Sequence, residues 1–221
     1  MTNNEKALML HEQWAGKFET VSKCAINTRE DLALAYTPGV AEPCKVIAKD
    51  KEQAYKYTIK SNTVAVVSDG SAVLGLGNIG PYAAMPVMEG KAVLFKEFGN
   101  VNAVPICLDT QDTEEIIKTV INIAPGFGGI NLEDIAAPRC FEIERKLKEK
   151  LLAGGFMSDA TDAAVARMTE LGLINDELLA QRLYEYLSQS GTSKREILFK
   201  QNPARVCANQ PVIVKNPISF V

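Results

Sequence analysis

Histidine is almost absent from this chain. His11 is the only one in 221 residues, so any proton-transfer work falls first to Lys, Asp, Glu or Tyr. The five cysteines (Cys24, Cys44, Cys107, Cys140, Cys207) are odd in number, widely spaced and free of any CxxC pair. That pattern argues against a disulfide framework or a zinc site and leaves buried or idle thiols. No apolar run nears the ~18 residues that a membrane span needs. The N-terminus, with Glu5, Lys6, His11 and Glu12 among its apolar residues, lacks the uninterrupted core of a secretory leader. The expectation is a cytoplasmic chain with no membrane association. A net charge of -3 supplies no field to attract nucleic acid, which counts against such a partner. No stretch repeats at a fixed period or is low in complexity. What is present is a 47% hydrophobic composition, enough for the core of one large domain or two small ones.

Along the first 150 residues, strands alternate with helices. Residues 4–18 have a helical period, with Leu10, Trp14 and Phe18 on one face and Trp14 read as core. Asn27 followed by Glu30 resembles a capping box opening a short helix through Ala35, which Thr37, Pro38 and Gly39 then stop. Residues 41–56 are rich in helix formers and charge and read as one or two surface helices. Thr63 to Val67 is an apolar strand, followed by the tight turn Ser68, Asp69, Gly70, a glycine-rich loop from Gly75 to Gly80 and a helix carrying Lys91. Residues 102–108 read as a second strand, residues 113–123 as a helix capped by Asp112, and residues 128–132 as a buried third strand. Pro138 starts a charged helix that runs through Lys150. This order predicts an α/β fold, a mostly parallel sheet flanked by helices. Beyond Lys150 the pattern changes to three helices without strands, over 161–171, 176–187 and 193–201. The division expected is therefore 1–150 as an α/β domain, 151–201 as a small all-helical module and 202–221 as an extended or disordered tail.

Four positions in the first part could carry chemistry. Glu133 and Asp134 follow the third strand, where α/β folds build their sites. Two adjacent carboxylates suit a hard cation such as Mg²⁺ or Mn²⁺, and equally they suit a turn capping the strand. Lys91 lies beside Ala92, Val93, Leu94 and Phe95. An ammonium desolvated by such a wall becomes a candidate base, whereas a snorkelling surface lysine has none of that chemistry. Tyr36, at a helix end beside a rigid turn, either faces a cleft or caps the core with its hydroxyl in water. The GxGxxG loop from Gly75 to Gly80 is open to two readings, a dinucleotide cradle or a loop that presents Lys91 to a small acidic substrate. Against the first, the acidic residue expected about 20 positions on is replaced by Asp109, which comes 29 after Gly80.

The segments AYTPGVAEPC (Ala35 to Cys44), NTVAVVSDGSAVLGLGNIGP (Asn62 to Pro81), MPVMEGKAVLFKEF (Met85 to Phe98), PICLD (Pro105 to Asp109) and GGINLEDIAAPRCFEIE (Gly128 to Glu144) together resemble the N-terminal domain of the short, bacterial-type malic enzymes, over residues 8–150. The resemblance implies oxidation of malate with NAD or NADP and decarboxylation of the oxaloacetate formed, giving pyruvate and CO₂, with Mg²⁺ or Mn²⁺ at the substrate. By motif, Tyr36 resembles the family's general acid and Lys91 its general base. Glu133 and Asp134 resemble two of its three metal-binding carboxylates. A gapless extension puts Asp159 at the third. Family members self-associate, which implies a homodimer. The family's nucleotide-binding domain has no counterpart after residue 150, so a site for NAD or NADP is expected outside this chain. Residues 154–201 are similar to one three-helix repeat of the RecX-type recombination regulators. An alternative function follows, a non-catalytic dicarboxylate-binding or regulatory protein with a helical interaction module.

Overall fold

Strand β1 (Thr63–Ser68) is buried at all six positions and sets the layering of the molecule. Side chains alternate across a strand, so Val64 and Val66 face one side while Ala65 and Val67 face the other. On the first side they pack with Met88, Ala92 and Phe95 of helix α5 (Gly80–Gly99) and with Ala103 of β2 (Asn102–Cys107). On the second they meet Ile116, Ile117 and Val120 of α6 (Thr113–Ile123), Ile130 and Leu132 of β3 (Gly129–Leu132), and Cys140, Ile143 and Leu147 of α7 (Arg139–Ala153). A strand covered on both faces needs the near-continuous apolar run that residues 64–67 supply.

The computed structural model describes residues 1–153 and 213–214. Its sheet has the order β2-β1-β3-β4. β1 pairs in parallel with β2 (Thr63 opposite Asn102) and with β3 (Val64 opposite Gly129). β4 (Ile213–Val214), from the stretch expected to be extended, lies antiparallel on the far edge of β3. The α/β fold with a mostly parallel sheet flanked by helices is thus observed. The three helices expected over 161–201, with the repeat they resemble, and Asp159 lie outside the described residues. Helix α5 leaves β1 toward one face, and α7 leaves β3 toward the other. The carboxyl ends of these two neighbouring strands therefore open a crevice between diverging chains, the place where open α/β sheets bind ligands.

The N-terminal part is attached differently. Helices α1 (Asn3–Trp14), α2 (Arg29–Ala35) and α3 (Ala41–Lys49) contain no buried residue. Trp14, expected in the core, is 51% exposed, and Phe18 is exposed too. The helix ends at Ala15, where a left-handed backbone (φ 51°) redirects the chain. It docks on α5 through Lys17 instead of through an apolar face. The Lys17 amide donates to Glu89 Oε2 (3.2 Å) and its Nζ to the Pro86 carbonyl (2.6 Å). The capping box of α2 is shifted by one residue from the expected pair: Thr28 and Asp31 exchange the two bonds in place of Asn27 and Glu30. The short helix α4 (Ala54–Tyr57) then leads into Lys60, a buried lysine whose ammonium donates to the carbonyls of Ala124 and Phe127 and holds the α6-to-β3 connection against the entry to β1.

Candidate active site

At the carboxyl end of β3 the Glu133 amide donates to the Val67 carbonyl (2.8 Å), which extends the ladder by one residue. Asp134 then takes a left-handed backbone (φ 53°). The two adjacent carboxylates are thereby held in the crevice instead of alternating across a continuing strand. Both are buried, with Asp134 only 6% exposed. Lys91, about three turns into α5, reaches across, its Nζ 3.1 Å from Glu133 Oε2 with side chains 19% and 8% exposed. Asn131 Nδ2 donates to the same oxygen at 2.9 Å.

The electrostatics follow from this burial. Desolvation raises the Glu133 pKa, opposed by the Lys91 charge and by the Asn131 and Lys91 hydrogen bonds. Burial, followed by the neighbouring Glu133 charge, pushes the Asp134 carboxyl up to about 6, with Lys91 opposing. Two carboxylates sharing one ammonium in a low-dielectric crevice are short of positive charge. Hard oxygen donors with that deficit fit a Mg²⁺- or Mn²⁺-type cation. Among the described residues no cluster of three or more His, Cys, Asp or Glu is placed to hold a metal ion. Glu133 and Asp134 would therefore be joined by ligands from substrate, water or residues beyond those described.

Tyr36 stands apart. It caps α2, accepts the Val40 amide on its carbonyl (2.7 Å) and is 67% exposed. No hydrogen bond joins its hydroxyl to Lys91, Glu133 or Asp134 among the described residues. The structure thus brings together three of the five candidate residues.

The glycine-rich loop bears on the two readings left open. Its ends are pinned because the Ile79 and Gly80 amides both donate to the Gly70 carbonyl (3.1 and 3.2 Å), while Pro81, the next residue, has no amide to give. A helix N-terminus that binds a pyrophosphate does so with these first amides. Here the amides of Ile79 and Gly80 are taken and Pro81 has none, and the loop folds on itself through Val73 and Gly77. This geometry favours the loop that presents Lys91.

Sequence reasoning passed over Asp69, Ser71 and Arg139. Asp69 is fully buried at the carboxyl end of β1, with Arg139 Nη2 2.9 Å from its Oδ2. The signal was available, since Asp69 ends a parallel strand just as Glu133 does.

A lysine facing two buried carboxylates at the switch point of a parallel sheet defines an α/β protein with a charged crevice at the carboxyl ends of its strands. Comparison with known proteins makes the class specific. The family model for the malic enzyme N-terminal domain matches residues 15–148. The chain belongs to the malic enzyme family. It is 62% identical over 172 residues to an NAD-dependent malic enzyme of Geobacillus stearothermophilus, covering 78% of this chain and 35% of that protein. It is 55% identical over 175 residues to a bifunctional malic/malolactic enzyme of Bacillus subtilis, covering 79% and 42%. Among solved structures, a malic enzyme from Pyrococcus horikoshii superposes with a TM-score of 0.65 at 58% identity, over 67% of this chain and 35% of that one. The chain spans about a third to two fifths of these relatives' length.

Proposed function

We propose that this chain carries the proton-transfer and metal-binding part of a malate-oxidising, decarboxylating site. The observation that carries the proposal is the contact of Lys91 with Glu133 beside Asp134. In this reading Glu133 and Asp134 hold the divalent cation. Lys91, kept in place by Glu133 and by the apolar wall of α5, removes the proton from the C2 hydroxyl of malate. A divalent cation held there would supply polarisation of the C2 oxygen, and NAD or NADP would supply the hydride acceptor. Loss of CO₂ then leaves an enol of pyruvate, and a general acid returns a proton to C3. By motif that acid is Tyr36. The burial of the carboxylate pair keeps bulk water from competing for the same oxygens. Asp159 as a third metal ligand, self-association as a homodimer and residence in the cytoplasm belong to the same reading.

Oxaloacetate decarboxylation tests this without requiring nucleotide. Purified chain with Mn²⁺ is expected to release pyruvate faster than Mn²⁺ alone, and Glu133→Gln and Asp134→Asn are expected to lose that excess. A rate no greater than that of free Mn²⁺ would overturn the proposal. The exposure of Tyr36, with no hydrogen bond to Lys91 among the described residues, favours a second reading in which the crevice binds a C4 dicarboxylate without turning it over. Malate binding by calorimetry, together with no decarboxylation, would select it.

A further inference from the structure

Backbone and side-chain contacts around the carboxylate pair converge on one hydroxyl. Ser71 Oγ donates to Asp69 Oδ1 (2.5 Å) and accepts from the Ala136 amide (2.8 Å) and from Arg139 Nη2 (2.9 Å). A serine hydroxyl has one donor and two acceptor positions, and here all three are used. Arg139 in turn spans Asp69 Oδ2 (2.9 Å) and the carbonyl of Gln111, and the Gln111 amide pairs with Asn78 in the glycine-rich loop. The residue after Ser71 completes the clasp, its amide donating to the Asp134 carbonyl (2.9 Å). Asp134 sits between these ties in a left-handed backbone that a non-glycine residue keeps only when its surroundings over-determine it. The backbone on the carboxyl side of Asp134 is thus fixed by the Ser71 side chain, and its own peptide by the Ser71-to-Ala72 turn.

We propose that Ser71 is a positioning residue for the Glu133–Asp134 carboxylates, and that its hydroxyl sets the affinity of the pair for a divalent cation. Ser71 touches neither carboxylate; it acts through Ala136, Arg139 and the Asp69 turn. The proposal rests on the reading of Glu133 and Asp134 as cation ligands. Removing a group that orients metal ligands lowers affinity about 10- to 100-fold. Free Mn²⁺ is measured by its electron paramagnetic resonance signal in titrations of the full chain, at a temperature where circular dichroism shows each variant folded. Ser71→Ala is expected to bind Mn²⁺ at least about tenfold more weakly than wild type. Ser71→Thr, which restores the hydroxyl, should recover most of that loss. Arg139→Lys keeps a charge on Asp69 but loses the fork to Ser71, and should weaken binding as well; it decides the matter if Ser71→Ala does not fold. Unchanged affinity in Ser71→Ala, or in Arg139→Lys in its place, would overturn the inference. So would an equal loss in Ser71→Thr. A wild-type chain that binds no Mn²⁺ removes the parent reading and this one with it, an outcome distinct from wild-type binding that the variants leave intact.

Discussion

Asp134 concentrates the costs of the site in one residue. It is buried, it has a like charge beside it, and its backbone is left-handed. Because its carboxyl is raised from 3.8 to about 6 in the fold, the native chain holds a proton between roughly pH 4 and pH 6 that the unfolded chain has released. Stability therefore falls as pH rises through that window. The charge costs on the order of 2–3 kcal/mol above it, at about 1.4 kcal/mol per tenfold change in proton affinity. Metal-free Asp134→Asn is expected to be more stable than wild type at pH 7.5. Most of that gain should vanish at pH 4, where the native carboxyl is protonated, and any remainder there is independent of the charge. Thermal unfolding at the two pH values measures both parts; a gain independent of pH would mean that the buried charge is not the cause. Glu133 and Asp134 were legible as a pair because acidic residues at a strand's carboxyl end have a structural address. The approach of Lys91 to this pair was implied by the motif resemblance alone and not by local pattern, because it depends on which face α5 turns toward β3.

Most secondary-structure elements were legible from local rules. Asp112 caps α6 as its position before an apolar helical period implies, accepting the Glu115 amide at 2.9 Å. Asp112→Ala should cost about 1 kcal/mol, read as a lower unfolding midpoint; no change would show that the cap is redundant. The Ser68-Asp69-Gly70 turn was legible as a turn, but its packing was not. Gly70 has φ 66°, and a Cβ there would lie 2.3 Å from the Gly80 carbonyl oxygen. Gly70→Ala is therefore expected to destabilise the fold by several times what an exposed substitution does and to loosen the start of α5. Unfolding and hydrogen exchange in residues 80–90 would show this, and wild-type behaviour in both would refute the close approach. Where the reading of elements failed, at Trp14, the helix was found but its face was assigned to a core. A helical period identifies an apolar face and says nothing of what covers it.

At the scale of the molecule, the apolar faces of the N-terminal helices are a feature the sheet does not explain. Leu8, Trp14, Leu32 and Leu34 are exposed, and no residue of α1 or α2 is buried. The proposed homodimer would give these side chains cover. Sedimentation velocity across micromolar concentrations is expected to show a dimer that Leu34→Glu weakens, whereas a monomer throughout would contradict it. The α/β layering was legible because β1 is apolar at consecutive positions and must be covered on both faces. Its strand order was not, since β3 could have paired on either side of β1 without any change in local pattern. That order is what places Glu133 and Asp134 beside the turn that holds them.

In the proposed site, the Glu133–Asp134 pair holds a divalent cation beside Lys91. Calorimetric titration of Mn²⁺ into the 221-residue chain measures this binding. Wild type and Tyr36→Phe are expected to bind at a single site, and Glu133→Gln and Asp134→Asn to bind at least about tenfold more weakly. Binding that survives both carboxylate substitutions, or a wild-type chain that takes up no Mn²⁺, would show that Glu133 and Asp134 are not cation ligands.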